Sequence, residues 1–178
     1  MNAEYRQVDF IKQEWASRIL PAFKKAYAHG DFPKELMIIP GQLFDGFGAP
    51  GLVAVDEAVA FEPLLGIRLF ALAHETAHCV TYLECEKQNI TTPNTDTGLN
   101  KHKHEMMADL IAIHVLTQYL PRISNEVKIR LNSLAQKLGA GDAEHPSGYI
   151  RVQTMNAYYK GANFETLFLF IATRLATI

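Results

Sequence analysis

The sequence predicts one mainly helical α+β domain over residues 1–178, in which a small sheet precedes the longest helical segment. Branched residues flanked by proline and glycine concentrate in 35–39 and 52–61, a pattern typical of strands. After residue 63 the longer apolar patterns repeat at three to four residues, which is typical of helices. The chain has 178 residues, of which 48% are hydrophobic and 20% charged, and this composition indicates an ordinary globular domain.

The predicted helices come from apolar residues at helical spacing and from the residues that end them. The first runs from Tyr5 to Ile19, ends before Pro21 and continues as a short helix that stops at Gly30. Pro63 opens the longest helix, and a polar stretch rich in Asn and Thr ends it. The main predicted helices cover residues 5–19, 63–85, 104–120, 125–138, 149–159 and 164–178.

The two predicted strands are joined by a turn-rich stretch over residues 41–51. Its segment Gly46–Gly51 matches the dinucleotide-binding pattern G-x-G-x-x-G. Because this segment contains a proline and leads into a strand instead of a helix, we interpret it as a turn. The strand over 52–61 is a candidate edge for pairing with an extended peptide, and an ordinary buried strand is the equal alternative.

Charge and cysteine content exclude several classes of function. With 17 basic and 19 acidic residues the formal charge is -2, so nothing in the balance favours binding to nucleic acid or to an anionic membrane. The first twenty residues lack the pattern of a signal peptide, and no apolar stretch is long enough for a membrane span. Cys79 and Cys85 fall on one predicted helix, too far apart to form a disulfide. These features predict a cytoplasmic protein.

The motif that indicates chemistry is the H-E-x-x-H formed by residues 74–78, inside the predicted helix over 63–85. Residues four apart lie one turn apart on the same face of a helix, so His74 and His78 can bind one metal ion together. Glu75 is rotated by about 100° around the helix, from where it can reach a water on the metal without ligating it. The motif predicts a zinc site with Glu75 as the general base.

A catalytic zinc site takes three protein ligands, and the sequence offers several candidates for the third. Glu84 would point away from the two histidines if their helix continued, which excludes it. His102 and His104 remain possible, although both lie in a polar stretch. Glu105 is favoured, because Asp109 follows it one helical turn later on the same face and can accept the free ring N–H of a ligand histidine.

HETAH followed by EMMAD, residues 105–109, resembles the gluzincin zinc peptidases, the thermolysin-like tribe. Their pattern is H-E-x-x-H, a Glu ligand one helix later and an Asp four residues beyond it. Residues 145–151, HPSGYIR, are similar to the H-P-S-x-x-x-R motif of the CAAX prenyl endopeptidases and the soluble phage-exclusion peptidases. The resemblance covers residues 52–151 and implies a zincin-like fold. The chain lacks the transmembrane helices of the CAAX enzymes and the second lobe of thermolysin-like enzymes.

The resemblance also implies roles for individual residues. His145 and Arg151 correspond to the residues that face the metal and help to bind the substrate carbonyl or the transition state. They would stabilise the oxyanion while Glu75 acts as base. Asp142 and Glu144 could orient His145, but we expect them to lie on a solvated loop face.

The sequence therefore predicts a zinc metallopeptidase of the gluzincin type that acts on a protein or peptide substrate. Its predicted ligands are His74, His78 and Glu105, with Asp109 behind them. The alternative is a metal-bound regulatory or interaction module without catalysis, and a third possibility is a fragment that needs a partner to complete its cleft. An open coordination position favours the enzyme, because structural zinc sites are usually closed by four ligands rich in Cys. The substrate and the oligomeric state stay open.

Overall fold

The structure, a computed structural model, describes residues 3–94 and 96–174. Within them the chain is mainly helical with one three-stranded sheet, which confirms the predicted α+β class. The helices are α1 (Ala3–Glu14), α2 (Leu20–Ala26), α3 (Glu57–Ala60), α4 (Leu65–His78), α5 (Thr81–Lys87), α6 (Gly98–Tyr119), α7 (Pro121–Lys128), α8 (Leu131–Leu138), α9 (Gly148–Tyr159) and α10 (Phe164–Arg174). The strands are β1 (Met37–Ile39), β2 (Gly46–Ala49) and β3 (Leu52–Asp56).

The N-terminal helices form one continuous helical path through a π-helical turn over Trp15–Ile19. Pro21 lies in the first turn of α2, directly after the π-helical turn, and the helical path continues past the boundary predicted before this proline. The short predicted continuation is present as α2. The π-helical turn buries Trp15, whose indole Nε1 donates to the Thr76 hydroxyl at 2.9 Å. This contact fixes the back of α4 at the H-E-x-x-H motif.

The sheet differs from the prediction in two places. Residues 46–49, interpreted as a turn, form strand β2, which pairs antiparallel with β3. The predicted strand over 52–61 ends at Asp56, and residues 57–60 form the short helix α3 instead. A short apolar stretch does not separate strand from helix by periodicity alone, because both place such residues in the core.

Strand order also corrects the predicted edge. β1 pairs parallel and β2 antiparallel with β3, which makes β3 the central strand of the order β1-β3-β2. Both of its edges are already hydrogen-bonded, so β3 cannot accept an extended peptide. In the described sheet the two edge strands are β1 and β2, and β2 is the one that packs on α4.

The long helix predicted over 63–85 is two helices. α4 ends at His78, Val80 leaves the helical region with φ −129°, and α5 begins at Thr81. The adjacent branched residues at this point favour a break, because their side chains crowd the preceding turn. Cys79 and Cys85 therefore lie on either side of the break, and both are buried free thiols.

The second half of the chain also shows shifted boundaries. α6 starts at Gly98, earlier than the predicted residue 104, because the Thr97 hydroxyl caps its first turn by accepting from the Asn100 N–H. The predicted helix over 125–138 is divided into α7 and α8. α9 agrees with the prediction, as does α10, although residues 175–178 lie outside the described part of the chain.

α4 is the central element of the fold. All its residues from Gly66 to His78 are buried, and it contacts the π-helical turn, β2, α6 and α7. At its N-terminal end Arg68 pairs with the buried Glu14 at 3.0 Å. No described helix combines the length and the apolar character needed to cross a membrane. Within the described residues the H-E-x-x-H motif is therefore buried by these packed elements, and a cleft reaches its side chains.

Candidate metal centre

Three side chains from two helices converge at the floor of this cleft. The Nε2 atoms of His74 and His78 are 3.1 Å apart. From α6, Glu105 places Oε2 3.1 Å from His74 Nε2 and Oε1 3.3 Å from His78 Nε2. Zinc–ligand bonds of about 2.0–2.2 Å in a tetrahedron require ligand atoms roughly 3.3–3.5 Å apart. The three donors therefore have nearly the spacing that one face of such a tetrahedron requires.

Glu75 lies beside these donors. Its Oε1 is 3.9 Å from His74 Nε2, farther than either oxygen of Glu105 from its nearest histidine. His74, Glu75 and His78 all offer a ligand atom within 4.8 Å of one another, so this group could hold a metal ion. Burial raises the pKa of Glu75, and the side chain lines the cleft. A buried carboxylate with a raised pKa takes up a proton more readily than an exposed one.

Asp109 supports the first histidine as the sequence predicts. Its Oδ1 is 2.9 Å from His74 Nδ1 and accepts the proton of that nitrogen when Nε2 faces the metal position. Arg151 donates to Asp109 through Nε and Nη2, both at 2.7 Å. Burial by itself raises the pKa of Asp109, but Arg151 and His74 outweigh burial and lower it.

The main partner of Arg151 differs from the predicted one. We predicted it at the oxyanion, and its guanidinium is engaged by Asp109, with Nη1 3.6 Å from Glu105. Arg151 is buried and borders the cleft. Its shortest contacts are therefore to Asp109, and no spacing rule links two residues 42 positions apart.

The charges around the donors fit a divalent cation. Three buried or nearly buried carboxylates, those of Glu75, Glu105 and Asp109, face one guanidinium, that of Arg151. Such an excess of buried negative charge is unfavourable unless a cation compensates it. Burial lowers the pKa of His74, but Glu105 and Asp109 outweigh burial and raise it to about 10. Without a metal, a proton on His74 supplies part of this compensation, and a metal ion would displace it.

The other candidate ligands have different partners. His102 donates from Nε2 to the Asp142 carbonyl at 2.9 Å. Glu84 is buried and accepts from the Tyr27 hydroxyl at 2.9 Å. The Cys79 thiol donates to the Ala49 carbonyl at 3.1 Å, which is a packing role. Within the described residues none of these groups joins the donors.

His104 contacts the second histidine from behind. Its Nδ1 is 3.0 Å from His78 Nδ1, and the two ring planes are nearly parallel, 11° apart, with 4.9 Å between centroids. Burial and the neighbouring His78 lower the pKa of His104 to about 4. The sequence carried one signal for this placement, the capping Thr97, which extends α6 over this histidine.

β2 runs directly across α4 and forms one wall of the cleft, whose volume is about 610 Å³. A Cβ at Gly48 would come within 2.1 Å of the Glu75 carbonyl, and one at Gly46 within 2.7 Å of the Glu75 side chain. The two glycines are therefore required for close approach, since any larger residue would push the strand away from the motif. The edge of β2 that faces away from β3 has no pairing strand in the described sheet.

The loop before α9 brings His145 to the cleft. Its Nδ1 lies 3.1 Å from Asp142 Oδ1, which also accepts the His145 backbone N–H at 2.8 Å. Asp142 thus contacts His145 through both ring and backbone, and its side chain stays 63% exposed, as expected for a solvated loop face. Backbone N–H groups of Glu144 and His145 lower the pKa of Asp142 to about 2. Glu144 pairs with Lys101 of α6. It therefore connects the loop before α9 to α6 and does not orient the His145 imidazole.

Comparison of the chain with family models, curated proteins and solved structures finds no match. The resemblance to gluzincins therefore stays a prediction. What can be concluded about function depends on the geometry of the donors, Glu75 and the cleft.

Proposed function

We propose that this protein is a zinc-dependent peptidase. The observation that carries the proposal is the convergence of two imidazole nitrogens and one carboxylate at ligand spacing on the floor of a cleft, with Glu75 beside them. Two histidines and one glutamate are a donor set of catalytic zinc sites, which keep the fourth position open. Because Glu75 is not among the three closest donors, it is free to act on a proton.

His74, His78 and Glu105 would hold the zinc ion, which would supply the Lewis acidity that acidifies water and polarises the scissile carbonyl. Glu75 accepts a proton on its carboxylate from the attacking water and then delivers it to the leaving amine. Asp109 keeps the His74 ring in the tautomer that directs Nε2 to the metal. His145 in its doubly protonated form would donate Nδ1–H to Asp142 and Nε2–H to the developing oxyanion.

The substrate is an extended peptide that pairs with the free edge of β2. This edge borders the cleft beside Glu75 and takes over the role that we predicted for residues 52–61. Main-chain hydrogen bonds along the strand position the peptide, and side-chain pockets select its sequence. Phe44, Phe70 and Leu138 are among the residues that line the cleft, and their apolar side chains suit an apolar substrate side chain. We also place the protein in the cytoplasm, because its two cysteines are free thiols.

The proposal is tested by metal-dependent cleavage. Purified protein loaded with one equivalent of zinc is incubated with a peptide library prepared from a proteome, and mass spectrometry identifies new termini. Cleavage should disappear when a chelator removes the metal and return when zinc is added back. A protein that binds one zinc ion tightly but generates no new termini would favour the alternative, a metal-bound interaction module.

His145→Ala should leave zinc bound and lower kcat about 10²- to 10³-fold, the usual loss for one oxyanion donor. Zinc content by elemental analysis and steady-state kinetics measure the two effects. Ser147→Ala is the matched control in the same loop, since Ser147 only caps α9 by accepting from the Ile150 N–H. Removing this cap should cost about 1 kcal/mol of stability with little kinetic effect. Unchanged turnover in His145→Ala would remove His145 from the mechanism.

A further inference from the structure

The two histidines of the H-E-x-x-H motif have different supports. His74 Nδ1 faces the carboxylate of Asp109 at 2.9 Å. His78 Nδ1 faces another imidazole, that of His104, at 3.0 Å. A ligand histidine ordinarily directs its second ring nitrogen to a carboxylate, a backbone carbonyl or water. The support of His78 is therefore unusual, and it constrains two rings at once.

The constraint follows from counting protons on the ring nitrogens. If Nε2 of His78 binds the zinc ion of the proposed peptidase, its lone pair is occupied and the proton of the neutral ring must lie on Nδ1. A hydrogen bond at 3.0 Å between two Nδ1 atoms needs one donor and one acceptor. His104 Nδ1 must then be unprotonated, and the proton of the neutral His104 ring must lie on Nε2.

We infer that His104 is a positioning residue that accepts the Nδ1 proton of the metal ligand His78 and is thereby held in the tautomer whose Nε2–H is offered to the cleft. The inference rests on the proposed zinc site. His104 lines the cleft, as Tyr82 and Thr92 do, and its Nε2 has no hydrogen-bond partner within the described residues. Zinc binding thus sets the direction of a hydrogen-bond donor one ring away from the metal.

The relative orientation of the two rings is also well defined. The ring planes of His78 and His104 differ by 11°, and their centroids lie 4.9 Å apart. Glu105 is the next residue on the same helix, so α6 delivers a metal ligand and the support of another ligand from adjacent positions. A small displacement of α6 would alter both contacts together.

The test uses zinc-loaded protein with ¹⁵N-labelled histidine and long-range ¹⁵N–¹H correlation spectra, which distinguish protonated from unprotonated ring nitrogens. We expect His78 to carry its proton on Nδ1 and His104 to carry its proton on Nε2 alone. Assignment comes from the signals that disappear in His104→Asn. A His104 protonated on Nδ1, or on both nitrogens, would overturn the inference.

Zinc affinity, measured by competition with a chelator, provides the second readout. His104→Ala should weaken zinc binding about 10- to 100-fold, as loss of a supporting partner typically does. His104→Asn should restore most of this loss, because its Oδ1 can accept the same Nδ1 proton. His102→Ala is the matched control on the same helix and should bind zinc like the wild type. Equal affinity of His104→Ala and wild type would also overturn the inference.

Failure of this inference can be distinguished from failure of the peptidase proposal. Wild-type protein that shows the expected tautomers and affinities but cleaves no peptide would contradict the peptidase and leave the role of His104 intact. An active, zinc-dependent peptidase in which substitution of His104 leaves the zinc affinity unchanged would contradict this inference alone.

Discussion

Glu75→Gln is expected to abolish detectable peptidase activity while one zinc ion remains bound per chain. The substitution keeps the size of the side chain but removes its ability to accept a proton from water. Its Oε1 lies 3.9 Å from His74 Nε2, farther than the oxygens of Glu105 lie from their nearest histidines, so the metal should keep its three donors. Loss of a general base lowers the rate by about 10²- to 10⁴-fold. Elemental analysis and single-turnover kinetics on the same sample measure both properties.

Glu84→Gln is the matched control for this prediction. Glu84 is equally enclosed, but it contacts the Tyr27 hydroxyl away from the cleft, and an amide can keep that contact. Its activity should therefore equal that of the wild type. A Glu75→Gln protein that loses zinc, or that cleaves at the wild-type rate, would show that Glu75 is not the base. A retained zinc and a lost activity also make this variant suitable for capturing substrates.

Glu105→Ala should reduce zinc affinity more than any substitution of a supporting residue. Glu105 contributes both carboxylate oxygens to the donor spacing, one toward each histidine. Asp109→Asn removes only the support behind His74, for which a loss of about 10- to 100-fold is typical. Chelator competition on folded protein gives the order of the two effects, and circular dichroism confirms that each variant is folded.

The order of the affinities distinguishes the proposed donor set from its alternative. His102 contacts the Asp142 carbonyl and His104 lies behind His78, so neither should matter as much as Glu105. If His102→Ala or His104→Ala bound zinc more weakly than Glu105→Ala, the third ligand would lie in the stretch before Glu105. The gluzincin type would then be wrong.

The donors of the site could be predicted because their spacing is local. In a helix, residues four apart share a face whatever surrounds the helix, so the pairs His74 with His78 and Glu105 with Asp109 were readable from the chain. Their identities then indicated a metal site with a base. The structure brings both pairs together, with His74 Nε2 3.1 Å from Glu105 and His74 Nδ1 2.9 Å from Asp109.

The exact course of the strands could not be predicted in this way. Residues 46–49 look like a turn because two of them are glycine and Pro50 follows, yet they form an edge strand of the sheet. The reason for the glycines lies in another element, since a Cβ at Gly48 would collide with the backbone of Glu75. The order of the strands depends on pairing between distant segments. The residue pattern of a single strand therefore does not show whether it is central or at an edge.

By itself, the sequence determined the mainly helical α+β class, the H-E-x-x-H face and the carboxylate pair that follows it, because helical periodicity is a property of each segment. Tertiary structure decided what each of these groups touches. Packing around α4 brings Arg151 against Asp109, His104 against His78 and β2 against Glu75. Such contacts depend on how whole elements bury their apolar faces against one another, and that collective balance is not encoded in the spacing of any one motif.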